Sequence, residues 1–177
     1  MTGKRLSRLE CTAYHEAGHA VMNYAHAIDP HARRFKYVTI VPDEKQGSLG
    51  HVQYKPWSKP FRPDIEITLV TSHKMEMEIK ESLAGPMAEK MAGGRWNHPG
   101  ARSDYDFAND LAMRLYCSEE ACSCYMRLSR IIVREALQYQ WDLVKAVATA
   151  LLEQERLTWE EVDRLIIQQW KQSAMGG

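Results

Sequence analysis

Apolar positions recur at helical spacing along most of the chain, broken once by a short region of strand-like alternation. Leu9, Ala13, Ala17, Ala20, Val21 and Tyr24 share one face of a first helix, the i, i+3, i+4 pattern of an amphipathic segment. Ser7 followed by Glu10 is a capping box and sets its start. Asp29-Pro30 sets its end, because a residue before proline resists the helical region. Phe35–Val41 is rich in β-branched and aromatic residues and reads as a strand. Pro42–Gly47 is turn chemistry and Leu49–Tyr54 a second strand, so the two predict a β-hairpin. Lys55–Pro63 holds three prolines and reads as a loop. A long helix follows from about Ile67 to Ala92 and stops at Gly93-Gly94. Pro86 inside it predicts a kink or a fresh helix start.

Arg95–Ser103 reads as a loop, and the chain becomes helical again from Asp104. Glu119–Leu157 contains no Gly or Pro and keeps helical spacing through Ile131, Ile132, Ala136, Tyr139, Leu143, Ala146, Val147 and Ala150. Thr158 and Glu161 form a second capping box that opens a last helix ending near Trp170. Trp141, Trp159 and Trp170 fall at helical positions and read as core or subunit contact. Met75 and Met77, with Glu76 and Glu78, read as one partly buried helix face. The pattern predicts a mainly α (α+β) fold with a small β-hairpin or sheet and a C-terminal helical bundle. The expected organisation is one domain over 1–177, with a core in 1–116 and a helical part in 117–172.

Composition narrows the class. The 177 residues are 45% hydrophobic, enough for a real core. Lys+Arg and Asp+Glu are balanced at 23 each, so no net field draws nucleic acid or an anionic membrane. No apolar run approaches the roughly 18 residues a membrane span needs, and Met1–Arg5 leads into no apolar stretch of a signal peptide. The expectation is therefore a cytoplasmic chain that begins at its own Met1. Cys117, Cys122 and Cys124 make C-x4-C-x-C rather than paired C-x2-C, so these three and Cys11 read as free thiols packed as small apolar groups.

His15-Glu16-Ala17-Gly18-His19 carries the chemistry. On a helix, positions i and i+4 lie one above the other, so both imidazoles reach one ion. Glu16 then sits where a carboxylate can act on water that the ion activates. This is the H-E-x-x-H pattern of zinc hydrolases. Such a site takes a third protein ligand. A His-x-x-Gly-x-x-His continuation fails, because Met22 and Ala25 stand where Gly and His are needed. His26, two turns beyond His19, is too far along the axis. Glu89, in the apolar run Leu83–Glu89, is a carboxylate that wants a partner. Asp104 reads from position as an N-cap or first-turn acid where a helix begins. The residues alone leave both open. His51, His73 and His98 lack ligand spacing and read as surface or turn positions, His98 near the cleft.

Five ordered segments carry a family resemblance. Thr12–Val21 resembles the start of the protease domain of FtsH-type ATP-dependent zinc proteases. Val38-Thr39-Ile40-Val41-Pro42 and Leu49-Gly50 resemble that family's strand, turn and Leu-Gly strand. Leu83–Glu89 resembles its Gly-Arg-Ala-Ala-Glu helix, with Pro86 in place of Arg. Gly100–Asp104 resembles its Gly-Ala-Ser-Asn-Asp segment, with Arg102-Ser103 in place of Ser-Asn. Leu151–Glu161 resembles its last helix junction.

The resemblance implies a zincin-like helical metallopeptidase domain and one Zn2+ per chain. It implies His15, His19 and Asp104 as ligands, Glu16 as general base, and Glu89 as the acceptor that orients a ligating His. Peptide substrate would add as a strand along the edge that includes Gly47, Ser48, Leu49, Gly50 and His51. The sequence has no G-x-x-x-x-G-K-[ST] phosphate loop, so the expected activity is ATP-independent cleavage of flexible or unfolded polypeptide. The resemblance allows a homo-oligomer and an ATPase partner in trans, with no nucleic acid and no membrane insertion. The rival expectation is a non-catalytic zinc-stabilised binding or regulatory module. Retention of Glu16 favours chemistry, since a purely structural zinc site has no use for that acid.

Overall fold

The computed structural model describes residues 6–43, 48–57, 61–93 and 99–175. The elements are α1 (Arg8–His26), β1 (Phe35–Thr39), β2 (His51–Tyr54), α2 (Leu69–Met91), α3 (Pro99–Leu115), α4 (Glu119–Tyr139), α5 (Trp141–Gln154), β3 (Arg156–Thr158) and α6 (Trp159–Met175). The fold is mainly helical with one small sheet, as the pattern predicts.

The central element is α1. Its capping box is closed in both directions: Glu10 N–H donates to Ser7 Oγ (3.2 Å), and Ser7 N–H to Glu10 Oε2 (2.7 Å). Every residue from Cys11 to Asn23 is buried except Tyr14, so the helix is enclosed rather than laid on a surface. It packs chiefly against α2 and α5. The approach to α2 is close because Gly18 has no side chain; a Cβ there would stand 2.5 Å from the Ala84 carbonyl oxygen and 2.6 Å from Ala88 Cβ.

Three features differ from the sequence expectation: the unbroken run of α2 through Pro86, the start of α3, and the division of 119–157. Helix α2 begins at Leu69, where Thr68 Oγ1 accepts from Thr71 N–H (3.1 Å), and runs unbroken through Pro86. Packing on both sides holds the turn that proline weakens. It ends before Gly93, whose φ of 96° needs a residue without a Cβ. Helix α3 begins at Pro99 rather than Asp104; proline suits a first helical position, where no N–H is needed. The stretch from Glu119 to Leu157 is two helices and a strand, because Gln140 caps α4, and Glu155, at φ 61°, turns the chain after α5.

The sheet order is β2-β1-β3, all antiparallel. The expected hairpin is β1 with β2, with Val38 opposite Val52. Strand β3, not expected, pairs Val38 with Leu157. This strand and α5 tie the C-terminal helices to the sheet and to α1. The last helix opens on the predicted box, with Glu161 N–H donating to Thr158 Oγ1 (3.3 Å) and Thr158 N–H to Glu161 Oε2 (2.7 Å). Trp159 is buried against Phe35, whereas Trp170 is 55% exposed. Met75 and Met77 are fully in the core rather than partly buried. Cys11 and Cys122 are buried; Cys117 and Cys124 are exposed, which corrects the expectation that all four pack inside. Among the described residues no helix is long and apolar enough to cross a membrane.

Candidate metal centre

The i, i+4 spacing on α1 does what it predicts. His15 Nε2 and His19 Nε2 lie 3.1 Å apart. Helix α3 brings Asp104 to them: its Oδ2 is 2.9 Å from His15 Nε2 and 3.3 Å from His19 Nε2. Asp104 stands in the second turn of α3, not at its N-cap, so a role as helix cap is excluded. Its side chain instead faces α1.

The other ring nitrogens decide what the three atoms can do. His19 Nδ1 meets the Glu81 carbonyl oxygen at 2.7 Å, an acceptor only, so Nδ1 carries the proton. His15 Nδ1 meets Glu89 Oε2 at 3.3 Å. Both contacts leave Nε2 bare in the neutral ring, the form that ligates a metal. Two bare nitrogens and a carboxylate oxygen 2.9–3.3 Å apart repel one another unless a cation sits among them. A tetrahedral zinc with bonds of about 2.0–2.2 Å has edges of about 3.3–3.6 Å. The triangle agrees within a few tenths of an ångström, and its donor set of two imidazoles and a carboxylate suits that ion. His15, His19 and Asp104 together form a cluster able to hold one metal.

Electrostatics report the same demand for positive charge. Burial disfavours a charged His15, yet hydrogen bonds to Asp104 and Glu89 and the field of Glu16 outweigh it and push its pKa up to about 10. Burial likewise opposes a charged His19, and Asp104 overrides it, so that ring is raised too. For Asp104 burial pulls upward, but the two histidines prevail and hold its carboxyl well below the usual range. Glu16 is raised by its burial, against the pull of His15 and His19.

A cleft of 530 Å³ opens on this triangle. Ser48, Leu49, Gly50 and His51 line it, all on the β2 side; Gly47 lies outside the described residues. So does His98. Strand β2 is an edge of the sheet. Gly50 touches the acid: a Cβ there would be 3.0 Å from Glu16 Cγ and 2.7 Å from the Thr39 carbonyl oxygen. His51 reads better as cleft wall than as bare surface, with Nε2 3.3 Å from Tyr37 Oη.

His26 is absent from the triangle; its Nδ1 instead meets Glu81 Oε1 at 2.9 Å. His73 is half-exposed, bound to Asp29 (2.7 Å). Sequence reasoning missed Gly85, Glu81, Glu78 and Arg33. Gly85 packs beneath the His19 ring. Glu81 lies behind His19 and accepts on Oε1 from Asn23 Nδ2 (3.0 Å). Arg33 binds both oxygens of Glu78 (2.9 and 2.5 Å). Glu78 and Glu81 sit at i and i+3 with Gly85 a turn on, a spacing that marks one helix face, but nothing local says that this face meets α1.

Comparison with known proteins agrees with this geometry. The sequence model of Peptidase family M41 matches residues 5–118. An ATP-dependent zinc metalloprotease FtsH of Caldicellulosiruptor bescii is 28% identical over 196 residues, covering 89% of this chain and 30% of its own length. FtsH 3 of Phytoplasma mali, another ATP-dependent zinc metalloprotease, is 22% identical over 179 residues, 88% of this chain and 27% of that protein. An FtsH of Buchnera aphidicola is 31% identical over 107 residues, 60% of this chain and 16% of that protein. The chain thus spans less than a third of the length of these relatives. The matched segment contains α1 and α3, which carry the triangle, and the hairpin and α2, which help line its cleft, and the chain belongs to Peptidase family M41.

Proposed function

We propose that this chain is a zinc-dependent metalloendopeptidase unit over 1–177 that hydrolyses peptide bonds in flexible or unfolded polypeptide. The observation that carries the proposal is the convergence of His15 Nε2, His19 Nε2 and Asp104 Oδ2 beside a buried Glu16 in an open cleft. His15, His19 and Asp104 would hold one Zn2+, which when bound supplies Lewis acidity toward a water molecule and the scissile carbonyl.

The chain's own residues do the rest. Glu89 and the Glu81 carbonyl hold the two imidazoles in the tautomer that leaves Nε2 free. Glu16, raised by burial, is a stronger base than an exposed carboxylate. It would take a proton from the attacking water and return it to the leaving amine nitrogen. The edge of β2 would hold the substrate backbone extended by main-chain hydrogen bonds. The cleft admits an extended segment, so a folded substrate would first need unfolding. The relatives' names carry the words ATP-dependent; the proposed hydrolytic step uses only the metal, Glu16 and water, and so would itself consume no nucleotide.

The test is cleavage of casein and of an unstructured peptide by zinc-loaded wild type and Glu16→Gln. Loss of about 10²–10⁴-fold in rate at unchanged zinc content is expected. Cleavage by the variant at the wild-type rate would remove Glu16 as base. A wild type that binds zinc and peptide but cleaves neither substrate would favour the binding module.

A further inference from the structure

The metal ligands of α1 belong to a longer cleft-facing stripe. Arg8, Thr12, His15, Glu16 and His19 all line the cleft. They stand at i, i+4, i+7, i+8 and i+11 of one helix, which is a single face. Arg8 opens that helix. At 1.5 Å per residue it lies about 10 Å along the axis from His15. Strand β2 passes over the same face. A Cβ on Gly50 would stand 3.0 Å from both Thr12 Cγ2 and Glu16 Cγ. The Ser48–Gly50 end of this wall therefore crosses the first turns of α1. At the far end of β2 the Arg33 guanidinium sits 4.0 Å from the Tyr54 ring centroid.

The two arginines of the cleft differ in what they bind. Arg33 holds both oxygens of Glu78 through Nε and Nη2, so its charge is engaged. Arg8 is exposed, and its guanidinium has no ion-pair or hydrogen-bond partner among the described residues. The hydroxyls of this end are committed elsewhere. Thr12 Oγ1 donates to the Arg8 carbonyl oxygen (3.1 Å), and Ser48 Oγ donates to the Gly50 carbonyl oxygen. The rest of the lining is acidic: Glu16, Glu78, Glu81, Glu89 and Asp104. A substrate carboxylate is repelled along most of this cleft. At the Arg8 end it meets an uncommitted cation.

We propose that Arg8 is a specificity-determining residue that binds a carboxylate of the substrate about two to four residues from the cleaved bond. The inference rests on the peptidase function proposed above. An extended peptide advances about 3.3 Å per residue. A chain laid along β2, with its reacting carbonyl at His15 and His19, thus passes Arg8 about three residues away. The guanidinium presents a planar fork of N–H donors that matches two carboxylate oxygens. Those oxygens belong to an aspartate or glutamate side chain or to the substrate's own C-terminus, and either source offers the same pair. A glutamine at that position keeps the shape and loses the charge. A lysine meets like charge.

The test is sequencing of the products that zinc-loaded wild type, Arg8→Gln and Arg8→Glu release from a library of unstructured peptides, followed by kcat/KM on a matched set. That set carries glutamate, glutamine or lysine at the selected position in peptides with an amidated C-terminus. One further peptide ends at that position in a free carboxylate. Arg8 is exposed in the first turn of α1, where a glutamate suits the helix dipole, so both variants are expected to fold and to keep their zinc. Wild type is expected to prefer glutamate over glutamine by about 3-fold or more at low salt, within the range of an exposed ion pair. The ratio should shrink at about 1 M salt, where screening acts within about 3 Å. In Arg8→Gln it should fall to near one, and Arg8→Glu should prefer lysine. A gain with the amidated glutamate peptide assigns the carboxylate to a side chain; a gain confined to the free carboxylate assigns it to the substrate C-terminus. Equal rates for all peptides with wild type, or a preference that survives unchanged in Arg8→Gln, overturns the role of Arg8 and leaves the peptidase reading standing. No cleavage of any peptide overturns that reading and this one with it.

Discussion

Gly85 and His19 are in direct contact: a Cβ on Gly85 would lie 2.2 Å from His19 Nε2 and 2.6 Å from its Cε1. The glycine is thus a steric requirement of the His19 ring, a proposed ligand on another helix. Gly85→Ala should displace the ring and weaken zinc binding by about 10–100-fold, the usual range for perturbing a ligand's support. Competition with a zinc chelator measures it. Wild-type affinity in that variant would show that the ring tolerates the shift.

Glu89 acts on His15 from behind. With Oε2 3.3 Å from Nδ1, it favours the tautomer that presents Nε2. Glu89→Ala should lower zinc affinity by about 10–100-fold while the protein still folds. Glu89→Gln, which keeps an acceptor, should recover part of the loss. Equal affinity across all three proteins would mean that Glu89 does not orient the ring.

Gly50 separates geometry from metal. An alanine there would meet the Thr39 carbonyl oxygen at 2.7 Å and Glu16 Cγ at 3.0 Å. The three atoms nearest that Cβ belong to Thr39, Glu16 and Thr12, none of them a proposed zinc ligand. Gly50→Ala should therefore keep its zinc and lose kcat by about 10-fold or more as Glu16 is pushed from its place. Loss of zinc together with rate would point instead to a wider disturbance of the hairpin.

Much of this was readable in advance where the signal is local. The capping boxes at Ser7 and Thr158, and the one-turn spacing of His15 and His19, need only a few consecutive residues. What depends on how helices meet was not readable. Asp104 could be named as a ligand only through family resemblance, since its place beside α1 comes from packing of α3 against α2. Residue Glu81 gives its backbone oxygen to His19 and its side chain to Asn23 and His26, contacts set by the α1–α2 crossing. Strand β3 is three residues long and follows a non-glycine residue at positive φ, so no pattern marks it. Pro86 reads as a helix breaker from sequence, and packing overrides it.

Alkaline pH should destabilise the fold, and Tyr24 offers a handle on this. Its hydroxyl donates to Asp163 Oδ1 at 2.5 Å. Burial first, then Asp163, push its pKa from 10.0 up to about 12. The folded form thus holds the proton more tightly than the unfolded chain. The resulting stability is fully present below pH 10.0 and is lost as pH rises through about 12. Burial raises Tyr105 and Tyr125 in the same direction. Denaturant midpoints should fall across this window, and Tyr24→Phe should fall less steeply than wild type. Parallel slopes for the two proteins would refute the assignment.

The central claim is that two distant helices supply one metal site. Zinc content per chain, measured on wild type and Asp104→Ala after dialysis against a weak chelator, tests it most directly. The account predicts about one zinc per wild-type chain and a large loss in the variant, because two imidazoles alone leave the site one ligand short. Full retention of tightly bound zinc by Asp104→Ala would contradict it.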